Sequence, residues 1–284
     1  MPWRFENCWQ RIDRADVHSK AFAKVWNDLS EEDTYSAGVR VDDDGTGRIW
    51  LEPMHFSGFP PLASLELGEM LYQLRAALDA SIYECAIVET GKRPPPDEQH
   101  LEFPIFETSP AFAKNAPGML GPLTQDRWDI IEAVQPYNIS NLTLAPEEMV
   151  ANPNRTLSIL NDWARKDRHR RLHFVGSWAS NASPKLRLPD GVSIASMVVS
   201  GAGFLEQESQ IAEFKLEGWV PGMHIQANPD VAVDVAIDEI PPACADNDTT
   251  GNRLLAMIGI VKGIVMQLEE SFEGRGLTLG THRP

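Results

Sequence analysis

A chain of 284 residues can bury a large core, and 43% hydrophobic with 23% charged residues is the composition of a globular protein rather than a disordered one. The formal net charge is -16, from 25 Lys and Arg against 41 Asp and Glu, which opposes general adhesion to nucleic acid or an anionic membrane. Cys8, Cys85 and Cys244 are odd in number and scattered, which argues against a disulfide framework or structural zinc and for a reducing, cytoplasmic setting.

Residues Met1 to Asn7 carry no apolar run of the kind a secretory signal needs. Residues 15–29 read as a first helix, with Val17, Phe22, Val25, Trp26 and Leu29 at helical spacing. A β-hairpin is expected next. Val39 and Val41 alternate up to Asp44-Gly45, and Ile49 and Leu51 alternate away from it. The acidic run Asp42-Asp43-Asp44 brings a calcium loop to mind, but Arg40 stands at its first ligand position and Leu51 at its last. A turn is the better reading.

A long helix is predicted from about 62 to 88, ended by Gly91 and Pro94-Pro95-Pro96. With Gln73 set to zero and about 100° per residue, Arg75 falls near 200° and Asp79 near 240°. Both point away from the wet face of Glu66, Glu69, Gln73 and Glu84. An i,i+4 ion pair on the apolar side has to be satisfied there, because an unpaired buried charge is costly. A loop with Phe103-Pro104-Ile105 follows. Two further helices are expected near 109–115 and 124–134, the latter closing at Gln135-Pro136-Tyr137.

The next helix, 154–172, holds five of the chain's 25 Lys and Arg in Arg165-Lys166-Asp167-Arg168-His169-Arg170-Arg171. Its apolar stripe of Leu157, Leu160, Trp163 and Ala164 continues through Asp167 and Arg171, while Arg165, His169 and His173 lie on another face. Arg75, Asp79, Asp167, Arg168, His169 and Arg170 therefore either close as an ion-pair network between two helices or face a cleft.

Beyond about 183 the texture becomes β. Strands are expected at 186–188, 192–199, 211–216, 223–227 and 231–237, as an antiparallel meander. A last helix spans about 250–272. Its apolar stretch from Leu254 to Leu268 carries Lys262 and is short for a membrane span, so a core helix is expected. The fold class is α+β: a helical N-terminal body with a β-hairpin, and a C-terminal antiparallel sheet capped by a long helix. One domain is expected over 1–284, helix-rich to 182, strand-rich over 183–240, with the helix at 249–273 packing back.

Four motifs stand in order: Leu71 to Asp79, Phe103-Pro104-Ile105, Gln135-Pro136-Tyr137 and Asp167-Arg168-His169-Arg170. In this the chain resembles a family of uncharacterised bacterial and phage proteins with an LRSALDH-like helix, an FPI loop, a QPY step and a DKHR-like helix. The likeness covers roughly residues 15–272. Ala80 stands where that family usually has His, and Arg168 where it has Lys. The family implies no activity, and the question of an enzyme stays open.

Three functional readings follow. The first is a cytoplasmic protein binding a small anionic or phosphate-containing ligand through Arg75, Arg168, His169 and Arg170, oriented by Asp79 and Asp167, with neither metal nor cofactor. The second is a metal-independent RNase with local RNA contact. Arg168 to His173 resembles the Arg-polar-His pattern of HEPN-type nucleases, which implies Arg168 on the phosphorane and His173 moving the proton. The third is a purely structural network. His169 and His173 have the i,i+4 spacing of zinc ligands, but the surrounding cations would repel a dication. No membrane partner is expected, and the sequence leaves the oligomeric state open.

Overall fold

Apolar residues at three- and four-residue steps start the first helix earlier than residue 15. The computed structural model describes residues 5–30, 35–53, 60–141, 153–169, 174–199, 203–205, 209–228, 231–237 and 250–272. In it helix α1 runs Glu6–Ser30, and Phe5, Cys8, Ile12, Ala15, Ser19 and Phe22 form one buried stripe. Helix α2 is Pro61–Thr90. Proline opens it, where a missing N–H costs nothing, and Gly91 closes it at φ 67°, donating to Ile87 O at 2.8 Å. Helix α3 is Ser109–Leu120, with the Thr108 side chain accepting from Ala111 N at its start. It runs past residue 115 and carries Pro117 within it. Helices α4 (Gln125–Ala133), α5 (Pro153–His169) and α6 (Thr250–Glu270) complete the set among the described residues.

The described chain falls into two units interleaved in sequence. The helical unit draws on Met1–Ala23, Leu62–Leu172 and Gly251–Pro284, the strand unit on Lys24–Pro61 and His173–Thr250. Within the helical unit, α2 is the central element: Leu67, Met70, Leu71, Leu74, Leu78 and Ile82 are fully buried. Helix α1 reaches it through His18 Nδ1, 2.7 Å from Glu66 Oε2, and Arg11 Nη1, donating to Gln73 at 3.2 Å. Burial pushes the Cys8 thiol up to about 12 and moves Cys85 in the same direction, so neither is a ready nucleophile.

Helix α6, with 21 residues, is by length and composition long enough to cross a membrane, so its length does not exclude a span as the sequence reading had it. It is packed along one face, however. Leu254, Met257, Val261, Ile264, Val265 and Leu268 are buried. Trp9 Nε1 donates to Glu269 at 3.0 Å, and Phe5 meets Phe272 at 6.5 Å.

The residue that ties this end down is Arg127, the largest fully buried side chain. Its Nη2 donates to Ser271 O at 2.6 Å, its Nη1 to Thr124 Oγ1 at 3.1 Å, and its Nε lies 3.5 Å from Glu89. The guanidinium also stacks 3.9 Å above the Phe272 ring.

In the strand unit every pairing is antiparallel, but the order is not a meander. The N-terminal hairpin, β1 (Tyr35–Val41) and β2 (Thr46–Pro53), joins two later strands, β5 (Ser193–Val199) and β7 (Ser209–Glu217), in the order β1-β2-β7-β5. Two strands that lack clear alternation, β3 (Phe174–Ala182) and β6 (Gly203–Leu205), form a second sheet with β9 (Val231–Ile237). Strands β4 (Lys185–Arg187) and β8 (Gln226–Asn228) form a third. Ile49, Leu51, Ile211, Phe214 and Leu216 make the core of this unit. Gly45, at φ 83°, turns the hairpin where other residues would be strained. Beside it Asp44 accepts from Thr46 N at 2.9 Å and from Lys215 Nζ at 2.9 Å.

Two outcomes are expected. Truncating Arg127 to Ala strands the Ser271 carbonyl and removes the cation beside Glu89, and urea denaturation should show a loss of about 3 kcal/mol. The Thr46 amide and then Lys215 hold the Asp44 carboxyl down to about 2, below its ordinary 3.8. A lowered acid contributes stability above its unfolded value, and that stability is lost as pH falls through the folded value. Wild type should therefore lose hairpin stability between about pH 4 and pH 2, and Asp44→Asn should flatten that slope in acid titrations followed by circular dichroism.

Candidate functional site

The apolar-side pair that the wheel isolates on α2 grips a loop. Arg75 is 7% exposed. Its Nη2 donates to Phe103 O at 2.7 Å and to Glu102 Oε1 at 2.9 Å. Asp79 Oδ1, one turn on, accepts from Phe103 N at 3.0 Å and lies 2.9 Å from Arg75 Nη1. That last contact is Coulombic: Nη1 is buried without an aligned hydrogen bond. One ion pair thus satisfies both backbone groups of a residue whose side chain is fully buried.

Gln135 repeats the device from the other side. Its Nε2 donates to Pro104 O at 2.8 Å and to Ile131 O at 3.0 Å, and its Oε1 accepts from Phe106 N at 3.0 Å. Phe106 then packs edge-on to Phe112, which also meets Trp128 and Tyr137. The residues from Phe103 to Phe106 have no helix or strand to pair their amides, so side chains do it.

The basic run of α5 is divided. Asp162 holds both Arg165, at 3.0 Å, and Lys166, at 2.6 Å. Asp167 faces α2 as expected, at the point where α2 has Gly68. A Cβ on Gly68 would lie 2.5 Å from Asp167 Oδ2, so a larger residue there would displace the Asp167 carboxylate. Among the described residues Asp167 makes no ion pair or hydrogen bond with Arg75 or Arg168, and the side chains of His169 and Arg170, the other cations it is expected to orient, lie outside the described residues. Burial raises its pKa, and the nearby Glu69 charge adds to that. Burial likewise raises Asp79, against the pull of Arg75 and, more weakly, of Arg168.

Arg168 is exposed and forms no ion pair among the described residues. His169 ends α5, but its side chain lies outside the described residues, as do Arg170, Arg171 and His173. Arg168 and Arg75 line one cavity of about 80 Å³ between α2 and α5, together with Asp79, Asp167, Tyr72, Ala76 and Ala164. Tyr72, Ala76 and Asp79 also line an adjoining groove of about 560 Å³, whose other walls include Arg11, Ala80, Tyr83, Arg93 and Leu101. Among the described residues no three His, Cys, Asp or Glu side chains gather as a metal site.

Four residues of the site escape a sequence reading. Glu102 is an ordinary acid next to a motif, Gln135 an ordinary amide at a helix end, and Tyr72 and Tyr83 are two tyrosines on a long helix. The spacing of Tyr72, Ala76, Ala80 and Tyr83 along α2 is a signal that could have marked the groove floor. Comparison with family models, with curated proteins and with solved structures finds no match to this chain.

The clamp has a measurable consequence. Arg75→Ala should lower the unfolding free energy by about 3 kcal/mol, and Gln135→Ala by about 1–3 kcal/mol, through stranded loop amides and carbonyls. Arg165→Ala, on the surface, should stay within about 0.5 kcal/mol of wild type. Equal small losses at all three positions in urea denaturation would contradict the clamp.

Proposed function

We propose that the helical unit binds a small ligand bearing an anionic group in the cavity between α2 and α5, with Arg168 as the residue that meets the anion. The observation that supports this is the state of Arg168. Its guanidinium is exposed, has no ion-pair partner among the described residues, and lines the same cavity as Arg75. A guanidinium of this kind offers a planar fork suited to a carboxylate or phosphate oxygen pair. Arg75 supports the wall instead, since its Nη2 donates to Glu102 and Phe103 and its charge is paired with Asp79. The adjoining groove of about 560 Å³ lies within the size range of small-molecule sites. A binding role in the cytoplasm fits the two buried free thiols, Cys8 and Cys85.

The ordered motifs shared with the uncharacterised bacterial and phage family fit this reading. Three of them supply the loop clamp, through Arg75 and Asp79, Phe103 and Gln135, and the fourth supplies Arg168. The RNase alternative pairs Arg168 with His173, and His173 lies outside the described residues.

Thermal melting tests the reading. Acetate or another small monocarboxylate at millimolar concentration should raise the wild-type melting temperature, and Arg168→Gln should abolish the rise with little change in the unliganded value. Arg75→Ala should lower the unliganded melting temperature instead. A wild-type melting temperature that no anion moves would contradict anion binding. RNA cleavage in EDTA that is lost in His173→Ala would favour the nuclease.

A further inference from the structure

The cavity between α2 and α5 holds charges of both signs, and they fall into two kinds. Arg75 and Asp79 neutralise one another and are committed to Phe103. Arg168 and Asp167, neighbours on α5, both line the cavity, and neither has an ion pair or hydrogen bond among the described residues. With the Arg75–Asp79 pair self-neutralised, a phosphate dianion would gain from Arg168 but would meet the Asp167 carboxylate beside it. A ligand carrying one charge of each sign meets no such repulsion. Complementary charges on both its groups also discriminate against ligands that lack either one.

From this pairing we infer that the cavity takes a zwitterion of the α-amino acid type, its carboxylate on Arg168 and its ammonium on Asp167. The inference rests on the anion-binding reading of Arg168 and names the ligand class of that site. Size agrees. About 80 Å³ is the room of roughly two to three waters at some 30 Å³ each, enough for an ammonium–Cα–carboxylate head. The side chain has a continuous route out, because Tyr72, Ala76 and Asp79 line both the cavity and the larger groove. Along α2 the residues Tyr72, Ala76, Ala80 and Tyr83 lie on neighbouring turns, so two methyl groups floor a strip between two aromatic rings. Leu101 lines the same groove. An aromatic side chain can lie along that strip, with Asn7, Arg11, Glu84 and Arg93 at the polar edges of the groove. An ammonium at Asp167 also relieves the cost of burying that carboxylate, which burial and Glu69 both disfavour.

Calorimetric titration of the full chain with four probes tests this. They are L-phenylalanine, 3-phenylpropionate, which lacks the ammonium, 2-phenylethylamine, which lacks the carboxylate, and inorganic phosphate. Phenylalanine should bind at least about tenfold more tightly than either half-charged analogue, each lost charge-assisted hydrogen bond accounting for the difference. Asp167→Asn, nearly isosteric, should erase the preference for phenylalanine over 3-phenylpropionate by weakening phenylalanine, and should bind the latter at least as tightly as wild type does. Arg168→Gln should weaken both. If Asp167→Asn fails to fold by circular dichroism, the comparison of probes on wild type still decides. Phenylpropionate or phosphate binding as tightly as phenylalanine would overturn the zwitterion and leave anion binding standing. Binding of none of the four would overturn both.

Discussion

The Arg75–Asp79 pair is the constraint on which the candidate site depends. A guanidinium as deep as that of Arg75 is tolerable only beside acids and acceptors, and its Nη2 finds its acceptors on a loop rather than on a ligand. Because the pair occupies both backbone groups of Phe103, it fixes where the chain passes between α2 and α3. Gln135 then fixes Pro104 and Phe106. Through Asp79 and Arg75 the same pair forms one wall of the cavity, so the rigidity of the wall and the anchoring of the loop are one property. A site built on such a support is held by packed side chains rather than left to a mobile loop.

Seen this way, the concentration of cations on α5 has several separate uses. Asp162 neutralises Arg165 and Lys166 on the surface. Asp167 turns onto Gly68, where a Cβ would displace its carboxylate. Arg168 alone among the described cations of this run is left exposed without an ion pair, beside an acid in the same condition. Among the described residues, this cation and this carboxylate stand side by side on α5.

Much of the fold was legible because it depends on local pattern. Helices α2, α5 and α6 have long apolar stripes between clear stop signals, and the β1–β2 hairpin announces itself by alternation around Asp44-Gly45. What escaped was non-local. The pairing of β2 with β7 joins residues more than a hundred positions apart, and nothing in either strand names the other. Strand β3 reads Phe-Val-Gly-Ser-Trp-Ala-Ser-Asn-Ala, too rich in small and polar residues for its pattern to stand out. At the site, the wheel placed Arg75 and Asp79 on the apolar side correctly, because burial follows helical phase. It could not name Glu102 and Gln135 as their co-workers, because a loop has no period from which to read contacts. It also paired Asp167 with the cations by charge alone, where helix packing aims it at Gly68.

The most direct measurement of the clamp is amide hydrogen exchange at Phe103 and Phe106. Both sit in a loop with no strand or helix to protect them, yet each N–H is held by a side chain, Asp79 or Gln135. In wild type both should exchange only with opening of the helical unit, as slowly as amides in the middle of α2. In Asp79→Ala the Phe103 amide should exchange at least about tenfold faster than Phe106 relative to wild type. A Phe103 amide that exchanges in wild type at the rate of exposed loop residues would contradict the anchoring role of the Arg75–Asp79 pair.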